Sequence, residues 1–262
     1  MTQYLDYNAS TPVDKFVMLS MIAGWKECSG NSDSGHLHGV KALEAIERGR
    51  QQVSGMLSVS PLDIIFTSGA TESNNLALKG LAQAGIKSSR KHIVSTAIEH
   101  KAVLTPLAEL ECQGFEIELV KPDANGRVDA ADFLARIRLD TLLASMMHVN
   151  NETGIIQPVA EVGAALKDTL VFFHVDAAQG AGKLVDELKT LSYDLLSFTA
   201  HKMYGPQGIG ALVMPIQNRV PLKPLLTGGG QEMGLRSGTL PTALIMGLGA
   251  ACEIMDSATG ST

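Results

Sequence analysis

The chain has 262 residues, 45% of them hydrophobic and 18% charged, and a formal net charge of −6. This describes a globular protein with a sizeable core: no apolar run nears the roughly 20 residues of a membrane span, and the acidic balance argues against nucleic acid as a partner drawn by bulk charge. Cys28, Cys112 and Cys252, far apart and odd in number, indicate no disulfide framework, and Met1-Thr2-Gln3-Tyr4-Leu5-Asp6 lacks a basic-then-apolar leader pattern, so a reducing, cytoplasmic setting is expected.

Residues 1–15 read as an extended N-terminal segment turning at Asn8-Ala9-Ser10-Thr11-Pro12, and 16–262 as one large domain. A short helix is expected over Phe16–Lys26 and a polar loop over Cys28–Gly39. A strong helix follows, with Val40, Leu43, Ile46, Val53 and Leu57 at helical spacing. Ile64-Ile65-Phe66 reads as a buried strand that turns through Thr67–Asn75 into a helix. Further strands are expected at His92–Thr96, Phe115–Val120, Leu142–Val149, Val171–Asp176 and Leu195–Thr199. Helices are expected at Ala102–Cys112, Ala130–Arg138, Val159–Leu166 and Leu240–Met255. Such alternation predicts an α/β fold, a three-layer, mostly parallel doubly wound sheet with its ligand at the carboxyl ends of the strands.

Polar clusters fall at those strand ends. Ser68-Gly69-Ala70-Thr71-Glu72 is a small-residue turn at a helix N-terminus, suited to an anion such as phosphate. No dinucleotide glycine fingerprint follows the first strand, which argues against a nicotinamide dehydrogenase. Glu99-His100 places an imidazole where it can stack on a flat ring or shuttle protons. The loop Met147–Gly154 carries Asn150 and Asn151. In His174-Val175-Asp176, an aspartate ending an apolar strand needs a cationic or N–H partner, and a protonated pyridine nitrogen is one. In Ser197–Gly210, a buried strand delivers Lys202 into a Gly/Pro loop, where desolvation lowers an amine's pKa and leaves it nucleophilic. Each cluster has an ordinary reading as a helix cap, turn or surface lysine; together, in this order, they describe a pyridoxal 5′-phosphate site. His36 and His38 have no further ligand cluster beside them, so no metal is expected.

The same residues resemble the cysteine desulfurases of the class V aminotransferase group, within the fold-type I pyridoxal-phosphate enzymes. The resemblance lies in Tyr4–Pro12, Phe66–Ser73, Glu99–Val103, His148–Gly154, His174–Gln179, Ser197–Gly210 and Arg236–Pro241, and runs from near the first residue to beyond residue 245. It implies that Lys202 holds the cofactor covalently, that Asp176 pairs with the ring nitrogen, and that Gln179 and Asn151 bond to the phenolic oxygen and substrate. It further implies that His100 stacks on the ring and transfers protons, and that Ala70, Thr71, Thr199 and His201 bind the phosphate. Thr239 is expected to reach the phosphate of the neighbouring subunit in a homodimer.

The implied reaction converts L-cysteine to L-alanine and leaves sulfur as a persulfide on a protein thiol, for delivery to an acceptor protein in iron–sulfur or thiolation pathways. The family carries that thiol, and an arginine for the substrate carboxylate, in a C-terminal small domain. This sequence stops before both, so it is expected to be the large domain with impaired turnover of its own. Cys112 and Cys252 are expected to be inert core thiols. Cys28 lies in a segment that resembles one near the family's site, with Ser32 where proline is usual; it is a candidate substitute acceptor but not the favoured reading, and whether any of the three cysteines takes the sulfur stays open. The alternatives are a non-catalytic cofactor-binding module, a partner-dependent scaffold, or a related pyridoxal-phosphate lyase or aminotransferase.

Overall fold

Neighbouring residues along each central strand are buried on opposite faces, and this alternation divides the interior into two cores. The computed structural model describes residues 3–259; Met1 and Thr2 of the expected N-terminal segment and Gly260, Ser261 and Thr262 of the expected domain lie outside the described residues. Its first half contains α1 (Lys15–Glu27), α2 (Leu37–Leu57), β1 (Ile64–Thr67), α3 (Ala70–Gly80), α4 (Ala82–Ser88), β2 (His92–Thr96), α5 (Lys101–Cys112) and β3 (Glu116–Val120). Then come α6 (Ala130–Leu134), β4 (Thr141–Met147), α7 (Val159–Leu166), β5 (Phe172–Asp176), α8 (Val185–Thr190), β6 (Leu195–Thr199), β7 (Gly210–Val213) and α9 (Thr242–Thr259).

The strands form one seven-stranded sheet of order β1-β7-β6-β5-β4-β2-β3. All neighbours run parallel except β7, which is antiparallel to both β1 and β6. Ile64, Phe66, Ala144, Met146, Leu196 and Phe198 face one core with α1, α2, α7, α8 and α9. Ile65, Leu143, Leu195 and Leu212 face the other with α3, α4 and α5. The expected α/β architecture with three layers and a mostly parallel sheet is therefore present. Among the described residues no helix is long and apolar enough to cross a membrane.

Several local expectations are corrected. Helix α2 begins inside the expected Cys28–Gly39 loop because His36 Nδ1 accepts from Gly39 N at 3.2 Å and caps it. Its buried face runs through Ile46, Val53 and Leu57, where α9 crosses, while Val40 and Leu43 are 41% and 45% exposed. At that crossing a Cβ on Gly249 would lie 2.9 Å from Gly49 Cα, so the two helices touch through glycine. Helix α6 stops at Leu134 rather than Arg138: Arg136 and Ile137 switch to bonds from three residues back, and Thr141 Oγ1 takes Arg138 N at 2.7 Å. The expected strand over Leu142–Val149 ends at Met147, and the final helix starts at Thr242 rather than Leu240. Cys112 is exposed, not a core thiol, because the buried face of α5 follows Val103, Leu107 and Leu110 and position 112 falls off it. Cys252 is buried as expected, and burial pushes its thiol well up.

After β7 the chain returns to the sheet edge through an irregular segment in which Glu232 and Met233 both take left-handed backbone (φ 50° and 57°). A buried ion pair fixes it. Glu232 Oε1 accepts from Arg50 Nη2 at 2.6 Å, and Glu232 Oε2 accepts from Phe66 N at 2.7 Å. Arg50 in turn donates to Ile64 O at 2.7 Å, so α2, β1 and the segment share one hydrogen-bonded knot. Removing one partner strands a buried charge: Glu232→Ala is expected to cost about 3 kcal/mol or more of stability, read as a shift in the urea unfolding midpoint.

Candidate functional site

The carboxyl ends of β1, β2, β4, β5 and β6 open on one cavity of about 680 Å³. Asp176, the last residue of β5, forms its floor and is only 4% exposed. Its Oδ2 accepts from Asn74 Nδ2 at 2.7 Å and its Oδ1 from Ala178 N at 3.0 Å. Among the described residues it forms no ion pair within 4 Å, so a buried carboxylate is met by neutral donors alone. Asn74 is fully buried and lines the same cavity, and its Oδ1 has no partner.

One strand over, β6 ends at Thr199 and passes into a tight 3-10 turn, Ala200–Lys202. Lys202 is half-buried against the cavity; desolvation holds its amine below the ordinary lysine value, outweighing the opposing charge of Asp176. His201 is also held below its ordinary value, by burial and then by Lys202. The N-terminal segment latches this loop: Thr11 N donates to His201 O at 2.8 Å, and Tyr204 N to Thr11 Oγ1 at 2.7 Å.

The turn from β1 into α3 supplies the third wall. Gly69 sits at φ 149°, and no side-chain oxygen caps the helix behind it. The first-turn N–H groups of Ala70 and Thr71 are thus left without a side-chain acceptor beside the cavity, an arrangement that attracts anions. The turn packs against β7 so closely that a Cβ on Gly210 would lie 2.7 Å from Gly69 Cα.

His100 stands exposed at the rim as the N-cap of α5. Its Nδ1 accepts from Ala102 N at 3.0 Å, so the neutral ring carries its proton on Nε2. Behind it Glu99 is buried, with Oε1 accepting from Thr96 Oγ1 at 2.7 Å and from Met147 N at 2.8 Å and with Oε2 unpartnered. Burial pushes this carboxyl up to about 8, against those two bonds and with the Asp176 charge adding to the rise. Asn151 lines the cavity and donates to Glu152 Oε1 at 2.7 Å. Gln179 is oriented from both ends: its Nε2 donates to Asn8 O at 2.9 Å and its Oε1 accepts from Lys183 Nζ at 3.1 Å.

Of the residues singled out in the sequence, Ala70, Thr71, His100, Asn151, Asp176, Gln179, Thr199, His201 and Lys202 all line this cavity; Thr239 does not, and is exposed. None of Cys28, Cys112 and Cys252 lines it. Sequence reasoning missed Asn74, Glu99 as a buried acid, and Lys183. For Asn74 no sequence signal was available: α3 also carries Thr71, Glu72, Ser73, Asn75 and Lys79, and only the fold shows that position 74 is buried against Asp176.

The pattern of the family described as aminotransferase class-V matches residues 3–262. The chain is 48% identical over 252 residues to the cysteine desulfurase IscS of Methylococcus capsulatus, covering 96% of this chain and 62% of that protein. It is 49% identical over 255 residues to IscS of Pseudomonas putida, covering 96% and 63%. The chain thus spans 62–63% of the length of these curated relatives. Among solved structures, a NifS-like protein superposes with a TM-score of 0.94 at 41% identity, over 99% of this chain and 71% of that one. DndA from Streptomyces lividans gives 0.89 at 46% identity, over 98% and 73%. SspA, solved in complex with cysteine, gives 0.89 at 43% identity, over 96% and 72%.

Glu99 makes stability depend on pH in a known direction. The fold holds its proton up to about pH 8, whereas the unfolded chain releases it near 4.5, so its contribution is full below pH 4.5 and is lost as pH rises through 8. Denaturant melts of the parent chain should therefore lose stability over that window, and Glu99→Gln should flatten the slope. An unchanged slope in the variant would place the proton elsewhere.

Proposed function

Because this chain belongs to the aminotransferase class-V family, we propose that its cavity is the pyridoxal 5′-phosphate site of a cysteine desulfurase, acting on L-cysteine to give L-alanine and passing the sulfur to a protein thiol. The observation that carries this reading is Asp176, a buried anion with no cationic partner among the described residues, on the floor of a cavity whose wall holds a desolvated lysine. The donor set suits the cofactor. Asp176 would hold the proton of the ring nitrogen, Lys202 the aldehyde carbon, and the α3 turn with Thr199 and His201 the phosphate. Pyridoxal phosphate bound there supplies an electron sink for negative charge developing on the substrate's α carbon.

This chain's own groups do the rest. The Lys202 amine, held below the ordinary lysine value by burial, would take up or release a proton at Nζ. His100, at the rim, would lie over the ring and hold the proton at Nε2. Gln179, pinned by Lys183 and Asn8, and Asn151 would offer their amides to the ring oxygen and substrate. The likeness to SspA, solved with cysteine, supports the substrate class. The sulfur leaves on a thiol from outside the cleft, since none of this chain's cysteines lines it. We read the protein as a cytoplasmic homodimer: Thr239 is exposed and outside its own cavity, where a role in the neighbour's site would put it. A sulfur-acceptor protein completes the partners.

Lys202 carries the attachment in this reading. Borohydride reduction of the parent protein with pyridoxal phosphate, followed by peptide mass analysis, should place one pyridoxyl adduct on the peptide containing Lys202. Lys202→Ala should abolish it. An adduct on Lys183 in the parent would show that the wrong amine has been assigned.

A further inference from the structure

Glu72 is out of place in an anion-binding turn. The reading above puts a phosphate at the N–H groups of Ala70 and Thr71, yet Glu72, in the first turn of α3, lines the same cavity with a carboxylate. Its Oε2 accepts from Ser68 N at 2.7 Å and its Oε1 from Arg236 Nε at 3.0 Å. Burial works to raise this carboxyl, but the bonds from Arg236 and Ser68 outweigh it and hold it below the ordinary carboxylate range. Glu72 is therefore an anion, and with the pair's side chains 16% and 19% exposed, water screens it poorly.

Arg236 comes from far along the chain, on the irregular segment after β7. That segment is pinned just upstream by Glu232, which bonds to Arg50 and to the Phe66 backbone of β1. The same strand, β1, leads into the turn that Glu72 helps to shape. The two anchors thus deliver a guanidinium to the outer side of the turn and leave its N–H groups facing the cavity.

We propose that Arg236 is a positioning residue for the cofactor's phosphate: by pairing with Glu72 it cancels a carboxylate that would otherwise repel an anion from the α3 turn, and it fixes that carboxylate on Ser68 N. The inference rests on the pyridoxal-phosphate reading and adds a charge-balancing pair to it. It makes a prediction that a simple brace does not, because the sign of the effect depends on which partner is removed.

The test is equilibrium titration of the full chain with pyridoxal 5′-phosphate and, separately, with pyridoxal, which lacks the phosphate. Arg236→Met should weaken pyridoxal-phosphate binding by about tenfold or more, from a carboxylate left unpaired close to the ligand, and leave pyridoxal binding unchanged. Glu72→Gln should bind pyridoxal phosphate as tightly as the parent or more tightly, because Arg236 is then a free cation beside the anion. The double variant should recover most of the loss, and Arg236→Lys, which keeps the charge, should stay near the parent. Thermal melts check that each variant folds; should Arg236→Met not fold, the Glu72→Gln and Arg236→Lys results decide. Equal weakening of both ligands, a double variant as weak as the sum of the singles, or a Glu72→Gln that binds pyridoxal phosphate less tightly overturns the inference. A parent chain that binds pyridoxal phosphate, with Arg236→Met unaltered, overturns the inference alone; a parent that binds none removes the underlying reading with it.

Discussion

The site depends on one carboxylate kept from water at the end of a central strand. Asp176 is buried, and its partners are an amide and a backbone N–H rather than a cation. An anion so placed is costly unless something positive answers it. Among the described residues no cation pairs with it within 4 Å, and Lys202 acts on it only across the cavity. His174, two residues earlier on β5, sits between Ser145 and Ser197 at 2.9 and 3.0 Å and is held down to about 4 by burial, so it is neutral. Glu99, pushed up to about 8, keeps its proton at neutral pH and adds no second negative charge. Asp176 is thereby the carboxylate on the cavity floor whose direct partners are neutral donors, the feature on which the proposed pairing with a protonated ring nitrogen rests.

The scaffold serves that arrangement. Two cores clamp the sheet: β4 and β5 end level at Met147 and Asp176, β6 runs two residues past Ser197 beside them, and the residues that follow these strands converge. Pairing of Asp176 with Ser197 places Lys202 a short turn beyond the aspartate's neighbour strand. The loops are then tied to parts distant in sequence: Thr11 holds the backbone of His201, Asn8 the amide of Gln179, and Arg236 the carboxylate of Glu72. The cavity-lining side chains thereby sit on strand ends and short turns, tied to neighbours distant in sequence as well as to their own loops.

Much of this was legible in the sequence, because the signals were local. Apolar runs located the parallel strands to within two residues at each end, and at β5 and β6 the polar residue ending the run, Asp176 and Thr199, marked the cavity wall. The antiparallel β7 was not legible: only its first residue falls in the Ser197–Gly210 stretch, and that glycine is required by the approach to Gly69, a contact between distant segments. The exposure of Cys112, Val40 and Leu43 was likewise hidden, since helical spacing says which residues share a face but not how far a neighbouring element covers it. The partners of the charged groups were the least visible. Asn74 and Asp176 are 102 positions apart, and Arg50 and Glu232 are 182 apart, so only the fold brings them together.

The central claim is that Asp176, a buried carboxylate without an ion-pair partner within 4 Å among the described residues, holds a ring proton. Nitrogen NMR of the protein loaded with pyridoxal phosphate labelled at the ring nitrogen reads that proton directly. The account predicts a protonated nitrogen at pH values where the free cofactor has lost its proton, and a deprotonated one at the same pH in Asp176→Ala. A ring nitrogen that titrates alike in both proteins, or in the parent as it does free in water, would contradict it.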